Sequence, residues 1–134
     1  MGLKRTKLIG ITNLTGITPN PIGIFTSGTT QTSSGVAGTT YIRSIVTHNT
    51  SGINTAACSI YIAPNGVNAS SSGTNHLISQ VNLNPTETYF FDYAYPLVLE
   101  NGDKIAINIT HPVMGATGVG TGTQMNVQIL GDTV

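Results

Sequence analysis

The sequence has few charged residues, a single cysteine, no tryptophan and no long apolar run, and these shortages exclude several classes of protein. Only 7% of its 134 residues are charged, five basic and five acidic, against about 25% in an average soluble domain. With one cysteine, Cys58, no disulfide framework forms within the chain. No apolar run approaches the roughly 20 residues that a transmembrane helix needs, so we expect no membrane partner.

The scarcity of charge also bears on association. Polarity comes instead from Thr, Ser, Asn and Gly, and a surface with net charge near zero gives little colloidal repulsion. The hydrophobic content of 39% is enough for a packed core, which argues against a disordered chain. We therefore expect a subunit of an assembly, itself a homo-oligomer such as a trimer or dimer.

The chain has the pattern of a β-protein from end to end. Thr, Ile and Val are abundant, and Gly or Pro interrupts nearly every long window, which excludes helices of ordinary length. Smaller or polar residues alternate with larger apolar ones in three segments, as on sheets with one core face. The predicted inward residues are Cys58, Ile60 and Ile62, then Ile105, Ile107 and Ile109, and then Met125, Val127 and Ile129. The pattern predicts an all-β fold, an antiparallel β-sandwich of jelly-roll type, as one domain over residues 14–134. Its eight or nine short strands are expected at 7–13, 22–26, 39–48, 56–63, 76–83, 87–93, 97–100, 104–111 and 124–130.

Turn residues separate these segments. Asn49-Thr-Ser-Gly52 and Pro64-Asn-Gly66 are turn signals, and Asn101-Gly-Asp103 is typical of a tight hairpin turn between two strands. Longer polar loops are expected at residues 26–38, 65–75 and 112–123, where they can contact a partner.

Residues 1–13 differ from the rest in charge. Lys4, Arg5 and Lys7 are three of the five cations, and beyond Lys7 two cations face five carboxylates. This asymmetry predicts a basic N-terminal arm or leading strand that docks on an acidic neighbour. An ordinary solvated terminus is the alternative.

Residues suited to chemistry are present but not in catalytic or metal-binding patterns. His48, His76 and His111 each fall at a predicted strand end, with no second ligand at a metal-binding spacing. Cys58 lies in an apolar strand and is expected to be a small buried hydrophobe. No nucleophile elbow occurs, and the glycines at 118, 120 and 122 precede a strand instead of a phosphate-binding helix. We expect no enzyme, no metal and no cofactor.

Nucleic-acid binding has equally little support. Outside the N-terminal segment only Arg43 and Lys104 are basic, too few to follow a phosphate backbone. We expect no nucleic-acid partner.

One aromatic cluster stands out. Five of the eight aromatic side chains lie between residues 89 and 95: Tyr89, Phe90, Phe91, Tyr93 and Tyr95. Alternation places Tyr89, Phe91, Tyr93 and Tyr95 on one side of an extended chain. They either contribute to the core or form an exposed patch for protein or carbohydrate, since a tyrosine ring combines apolar area with a polar tip. Tyr89, Tyr93 and Tyr95 are therefore candidate partner-binding residues, beside the three basic ones.

The order of segments in the middle of the chain carries a family resemblance. The strand Thr40-Tyr-Ile-Arg-Ser-Ile-Val46 precedes His48-Asn-Thr-Ser-Gly52 and a second strand, Ser59-Ile-Tyr-Ile-Ala63. A small-residue loop at 66–73, segments at 77–83 and 85–89, and Leu97-Val-Leu-Glu-Asn-Gly-Asp-Lys-Ile105 follow. Over residues 39–109 this order resembles small structural proteins of tailed-bacteriophage virions. The proline of the family's Val-Pro-x-Gly turn is missing from Gly35-Val-Ala-Gly-Thr39.

The resemblance implies a virion structural protein with no catalytic residues to carry over. We expect a capsid decoration or cement subunit that stabilises contacts between major capsid proteins, located in the virion and assembled in the host cytoplasm. Its partners would be the major capsid protein or other virion proteins. A tail, collar or fibre component is one alternative, and a carbohydrate-binding module built on the aromatic cluster is a second.

Overall fold

The structure, a computed structural model, describes residues 4–15, 21–28, 39–52, 54–68, 70, 76–100, 102–110 and 124–133, with the backbone alone at 4–6 and 15. These residues form eight β-strands and no helix. The strands are β1 (Lys4–Thr15), β2 (Ile22–Thr26), β3 (Thr40–Asn49), β4 (Ala56–Ala63), β5 (His76–Leu83), β6 (Thr88–Leu99), β7 (Lys104–Thr110) and β8 (Gln124–Thr133). No membrane-spanning helix is therefore found in the described part of the chain.

The strands form two four-stranded antiparallel sheets. Sheet I has the order β1-β8-β3-β6, and sheet II has the order β2-β7-β4-β5. The hydrogen-bonded pairs β1·β8, β2·β7, β3·β6 and β4·β5 are those of one long hairpin wound into two sheets, which defines a jelly roll. The predicted fold class, an antiparallel sandwich of jelly-roll type, is confirmed.

The core between the sheets is made of aliphatic side chains at alternating positions. The inward residues of β4, β7 and β8 are those that the alternation predicts, among them Ile60, Ile107 and Ile129, each fully buried. Cys58 is buried in the same cluster, as expected of a small hydrophobe. Each buried aliphatic side chain of this size contributes about 1.5–3 kcal/mol relative to leaving it in water.

The prediction of two strands at 87–93 and 97–100 was wrong, because one strand, β6, covers both. Ser44 of β3 pairs with Asp92, but Ile42 pairs with Leu97, so residues 93–96 of β6 stand opposite the single residue Arg43. This four-residue bulge lies on an edge strand, the position at which a sheet tolerates a proline such as Pro96. The sequence signal for a strand end was in fact the signal for a bulge.

The turn at residues 101–103 was also predicted wrongly as a hairpin, because β6 belongs to sheet I and β7 to sheet II. The turn chemistry itself is present. Gly102 has φ +90°, which favours glycine. The Asp103 carboxylate accepts hydrogen bonds from the backbone N–H groups of Glu100 and Asn65, both at 2.9 Å. The segment is therefore a corner between the two sheets.

The basic N-terminal segment lies in the sandwich. Strand β1 pairs with β8 along its length, from Lys4 opposite Thr133 to Thr15 opposite Gln124, and it forms one edge of sheet I. Register shifts near Leu8 and Ile11 mark two bulges. Of the predicted contact loops, residues 29–38, 69, 71–75 and 112–123 lie outside the described residues.

Candidate interaction surfaces

The outer face of sheet I is built by the residues that alternate with the core positions of its four strands. They include Lys7, Ile11 and Asn13 of β1, Asn126, Gln128 and Leu130 of β8, Tyr41, Ser44, Val46 and His48 of β3, and Thr88, Phe90, Asp92 and Val98 of β6. The strand register aligns most of them in rows that cross the sheet. We call this surface the outer face of sheet I.

Three of the four residues in the central row of this face are apolar. In its central row, Ile11 lies beside Gln128, which pairs with Val46, which pairs with Phe90. Ile11 is 74% exposed and Phe90 57% exposed. A shallow depression of about 170 Å³ lies between Ile11, Val46 and the polar residues His48, Asn126 and Gln128. Exposed apolar side chains grouped in this way mark surfaces that contact other proteins.

The next row carries opposite charges at its two ends. Lys7 pairs with Leu130, Leu130 with Ser44, and Ser44 with Asp92. Lys7 therefore lies at the β1 edge and Asp92 at the β6 edge of the same face. The Ser44 hydroxyl donates to an Asp92 carboxylate oxygen at 2.8 Å, which holds the acid on the outer surface.

The two cations beyond the N-terminal segment have structural contacts. Arg43, on the β3 side of the four-residue bulge, forms an ion pair with Asp132, which is only 2% exposed. The Lys104 ammonium donates to the carbonyl oxygens of Val67 and Gly102 at 3.2 and 3.4 Å. Both side chains thus fasten neighbouring segments of the sandwich to each other.

The three basic candidates lie together on β1. The backbones of Lys4 and Arg5 pair with Thr133 and Asp132, at the end of the sandwich where β8 finishes. Lys7 is exposed on the outer face of sheet I. Their role in binding a partner stays a prediction.

The aromatic candidates do not form one platform. Phe91 is buried, and the Tyr89 ring packs against it edge to face, with centroids 4.8 Å apart. Tyr93 is partly buried with its hydroxyl 3.3 Å from Ser79 Oγ, and burial raises the pKa of its phenol. Tyr95 is 90% exposed because the four-residue bulge interrupts the alternation of side chains along β6. The prediction that four rings share one side therefore fails at Tyr95, and the described geometry does not favour a carbohydrate-binding module.

Cys58 and His48, two of the reactive groups in the described part of the chain, have identifiable structural environments. Burial raises the pKa of the Cys58 thiol to about 12, so it is protonated at neutral pH and not a nucleophile. His48 Nδ1 is hydrogen-bonded to Thr88 Oγ1 at 2.7 Å. The described residues contain no group of three His, Cys, Asp or Glu side chains that could hold a metal ion. His111 lies outside these residues.

The sequence alone did not single out several residues of the outer face, among them Ile11. Ile11 follows Gly10, and glycine inside a strand pattern often marks a bulge. That signal was available, but the exposure of Ile11 depends on which residue of β8 stands opposite.

Comparison with known proteins gives a likeness of fold. No protein-family model matches this sequence, and no curated protein matches it. A chain from the crystal structure of the T13 IBDV viral particle, described as a missing link in the evolution of icosahedral viruses, is similar with a TM-score of 0.60 and 10% sequence identity. The match covers 99% of this chain and 31% of that chain, so this protein spans about a third of its length. At this identity the likeness shows a shared fold.

Proposed function

We propose that this protein is a structural component of a virus particle, and more specifically a decoration or cement subunit that binds across junctions between major capsid proteins. The observation that carries the proposal is the jelly roll formed by the eight strands of the described residues, together with its likeness to part of a chain in an icosahedral viral particle, a match that covers 99% of this chain. The tailed-phage origin rests on the resemblance of residues 39–109. A virion location and assembly in the host cytoplasm follow from the same proposal, and no enzymatic activity is part of it.

One end of the sandwich is suited to docking on a shell. Lys4 and Thr40 both lie opposite Thr133, and Ser27 hydrogen-bonds to Thr40 at 2.8 Å. Asp103 accepts hydrogen bonds from the backbone N–H groups of both Ser27 and Asn65. The segments that lead into the predicted loops at 26–38 and 65–75 therefore leave the fold at the same end as the basic start of β1. Contacts from several short segments at one end can add up to stable attachment when many subunits bind a repetitive surface.

The location and copy number of this chain in purified virus particles test the proposal. We expect cryo-electron microscopy to show jelly-roll density on the outer shell, and quantitative mass spectrometry to give hundreds of copies. About six or twelve copies on one axis, as in a ring of cyclic symmetry, would instead identify the alternative tail, collar or fibre component. Absence of the chain from purified particles would overturn a virion role.

The contribution of the basic segment is tested by charge reversal. Deleting residues 1–7 would also remove β1 backbone pairing with β8, so the double substitution Lys4→Glu and Arg5→Glu is the cleaner change. If these cations dock on an acidic shell, we expect about tenfold or greater loss of binding to particles that lack the protein, and a weaker salt dependence. The control is Gln80→Glu with Asn82→Glu on exposed positions of β5, which should bind as the wild type does. Unchanged occupancy of the Lys4 and Arg5 variant would exclude this role.

A further inference from the structure

We propose that the outer face of sheet I binds the same face of a second copy of this chain, about a twofold axis that runs parallel to the strands. The inference is independent of the proposed virion role, because it rests on the arrangement of side chains on this face.

Exposed apolar side chains are grouped on the outer face of sheet I. Ile11, Phe90 and Val98 are 74%, 57% and 55% exposed, and all three project from the outer face of sheet I. Ile11 lines the depression of about 170 Å³ together with Val46 and Gln128, and Phe90 pairs with Val46 beside it. A face of this kind, with polar side chains around it, gains free energy when another sheet covers it.

The outer face of sheet I is complementary to itself in the placement of its apolar side chains. A twofold axis parallel to the strands places the β1 edge of one copy over the β6 edge of its partner, and β8 over β3. In the central row, Ile11 then faces Phe90 of the partner copy. Large aliphatic and aromatic side chains thus meet at both edges of the interface, as an isologous contact requires.

The charges on this face are also complementary to themselves. In the neighbouring row, Lys7 lies at the β1 edge and Asp92 at the β6 edge. The same axis places Lys7 of each copy over Asp92 of the other, so the dimer gains two attractive pairs. The other in-plane twofold axis, perpendicular to the strands, would place β1 over β1 and bring like charges towards each other. Charge therefore selects between the two arrangements.

The size of the face is compatible with a dimer of modest affinity. Four strands about 4.8 Å apart and about eight residues long present a footprint of about 500 Å² per copy, or about 1,000 Å² in total. This is near the lower limit for a specific interface. We therefore expect reversible association that depends on protein concentration.

Charge exchange tests both the interface and its geometry. By sedimentation velocity at low salt, we expect the wild type to form dimers, and Lys7→Asp or Asp92→Lys alone to raise the dissociation constant about tenfold or more. An equimolar mixture of the two variants should regain wild-type affinity, because one copy then presents two acidic and its partner two basic side chains. The control pair Gln80→Asp and Asn82→Lys, on the outer face of sheet II, should leave association unchanged.

Two outcomes of the charge experiment would overturn the proposal: a wild-type protein that stays monomeric at all accessible concentrations, or a mixture that fails to regain affinity although both variants are folded by circular dichroism. If either charge variant fails to fold, cross-linking replaces it. Under mild oxidation, Ile11→Cys mixed with Phe90→Cys should give disulfide-linked heterodimers, and Ile11→Cys mixed with Leu77→Cys should not. Cys58 does not interfere, since it is buried. Equal cross-linking in the two mixtures would also reject the interface.

Discussion

Replacing Gly131 with alanine is expected to destabilise the protein by about 3 kcal/mol or more, the range of severe overpacking in a core. Gly131 lies in β8 between two neighbouring strands, opposite Ile42 of β3 and Thr6 of β1. A Cβ atom there would overlap the carbonyl oxygen of Tyr41 and come within 3.0 Å of Leu8 Cδ1. Because a backbone carbonyl cannot rotate away as a side chain can, the strands would have to separate. The free energy of unfolding in urea measures the effect.

Gly52 provides the matched control for this substitution. It is exposed, and a Cβ atom built on it meets nothing within 4 Å. Gly52→Ala should therefore change the free energy of unfolding by no more than about 0.5 kcal/mol. Equal unfolding midpoints for the two variants would mean that β3 and β8 do not approach each other at Gly131 as the structure shows.

Gly131 also illustrates where prediction from the sequence reached its limit. The alternation of Met125, Val127 and Ile129 with polar residues predicted the inward face of β8, and the structure confirms it. The predicted strand ended at residue 130. Strand β8 instead continues to Thr133, since the missing side chain lets the backbone of β3 come close. Glycine in a strand signals a close backbone approach in general, but which strand approaches depends on pairing between segments distant in sequence.

The same limit explains the errors at β6. A tight turn at residues 101–103 and an interruption near Pro96 were visible in the sequence. Whether the chain after a turn returns to the same sheet or crosses to the other one depends on the pairing of all eight strands, which local residues do not encode. The bulge at 93–96 depends likewise on its partner, Arg43 of β3. Local composition thus predicts where the chain turns or a strand is interrupted. Strand pairing decides whether that feature is a hairpin, a corner between the two sheets or a bulge.

Only part of the candidate surfaces could be predicted from the sequence, because strand register decides which residues share a face. Charge asymmetry drew attention to Lys7, and composition drew attention to the aromatic run of β6. Their joint presence on one face, with Lys7 and Asp92 in one row and Ile11 and Phe90 in another, follows only from the register of β1, β8, β3 and β6. A one-residue slip in any of these pairings would move a row to the core face.

Replacing Asn49 with alanine is expected to cost about 2–4 kcal/mol of stability, because several buried polar groups lose their partner together. Asn49 ends β3 and is fully buried. Its side-chain amide donates to the carbonyl oxygens of Asn54, Leu83 and Asn84 at 2.8, 3.2 and 3.2 Å, and its Oδ1 accepts from the Ser51 N–H at 3.0 Å. One side chain thus ties the β3–β4 connection to the β5–β6 turn. The unfolding free energy of Asn49→Ala, with the exposed Asn82→Ala as control, measures the contribution.

The variant Asn49→Asp tests whether donation to the three carbonyl oxygens is what stabilises this junction. It keeps the shape and the acceptor but presents an ionised oxygen to the carbonyls at neutral pH. Burial there should raise the pKa of the new carboxyl above its unfolded value, since only the protonated form can donate. The variant should therefore regain stability relative to the wild type as the pH falls from about 7 to about 4 and lose it again as the pH rises through the folded pKa. Asn49→Ala should show no such recovery. Parallel pH profiles for the two variants would assign the loss to packing instead of hydrogen bonding.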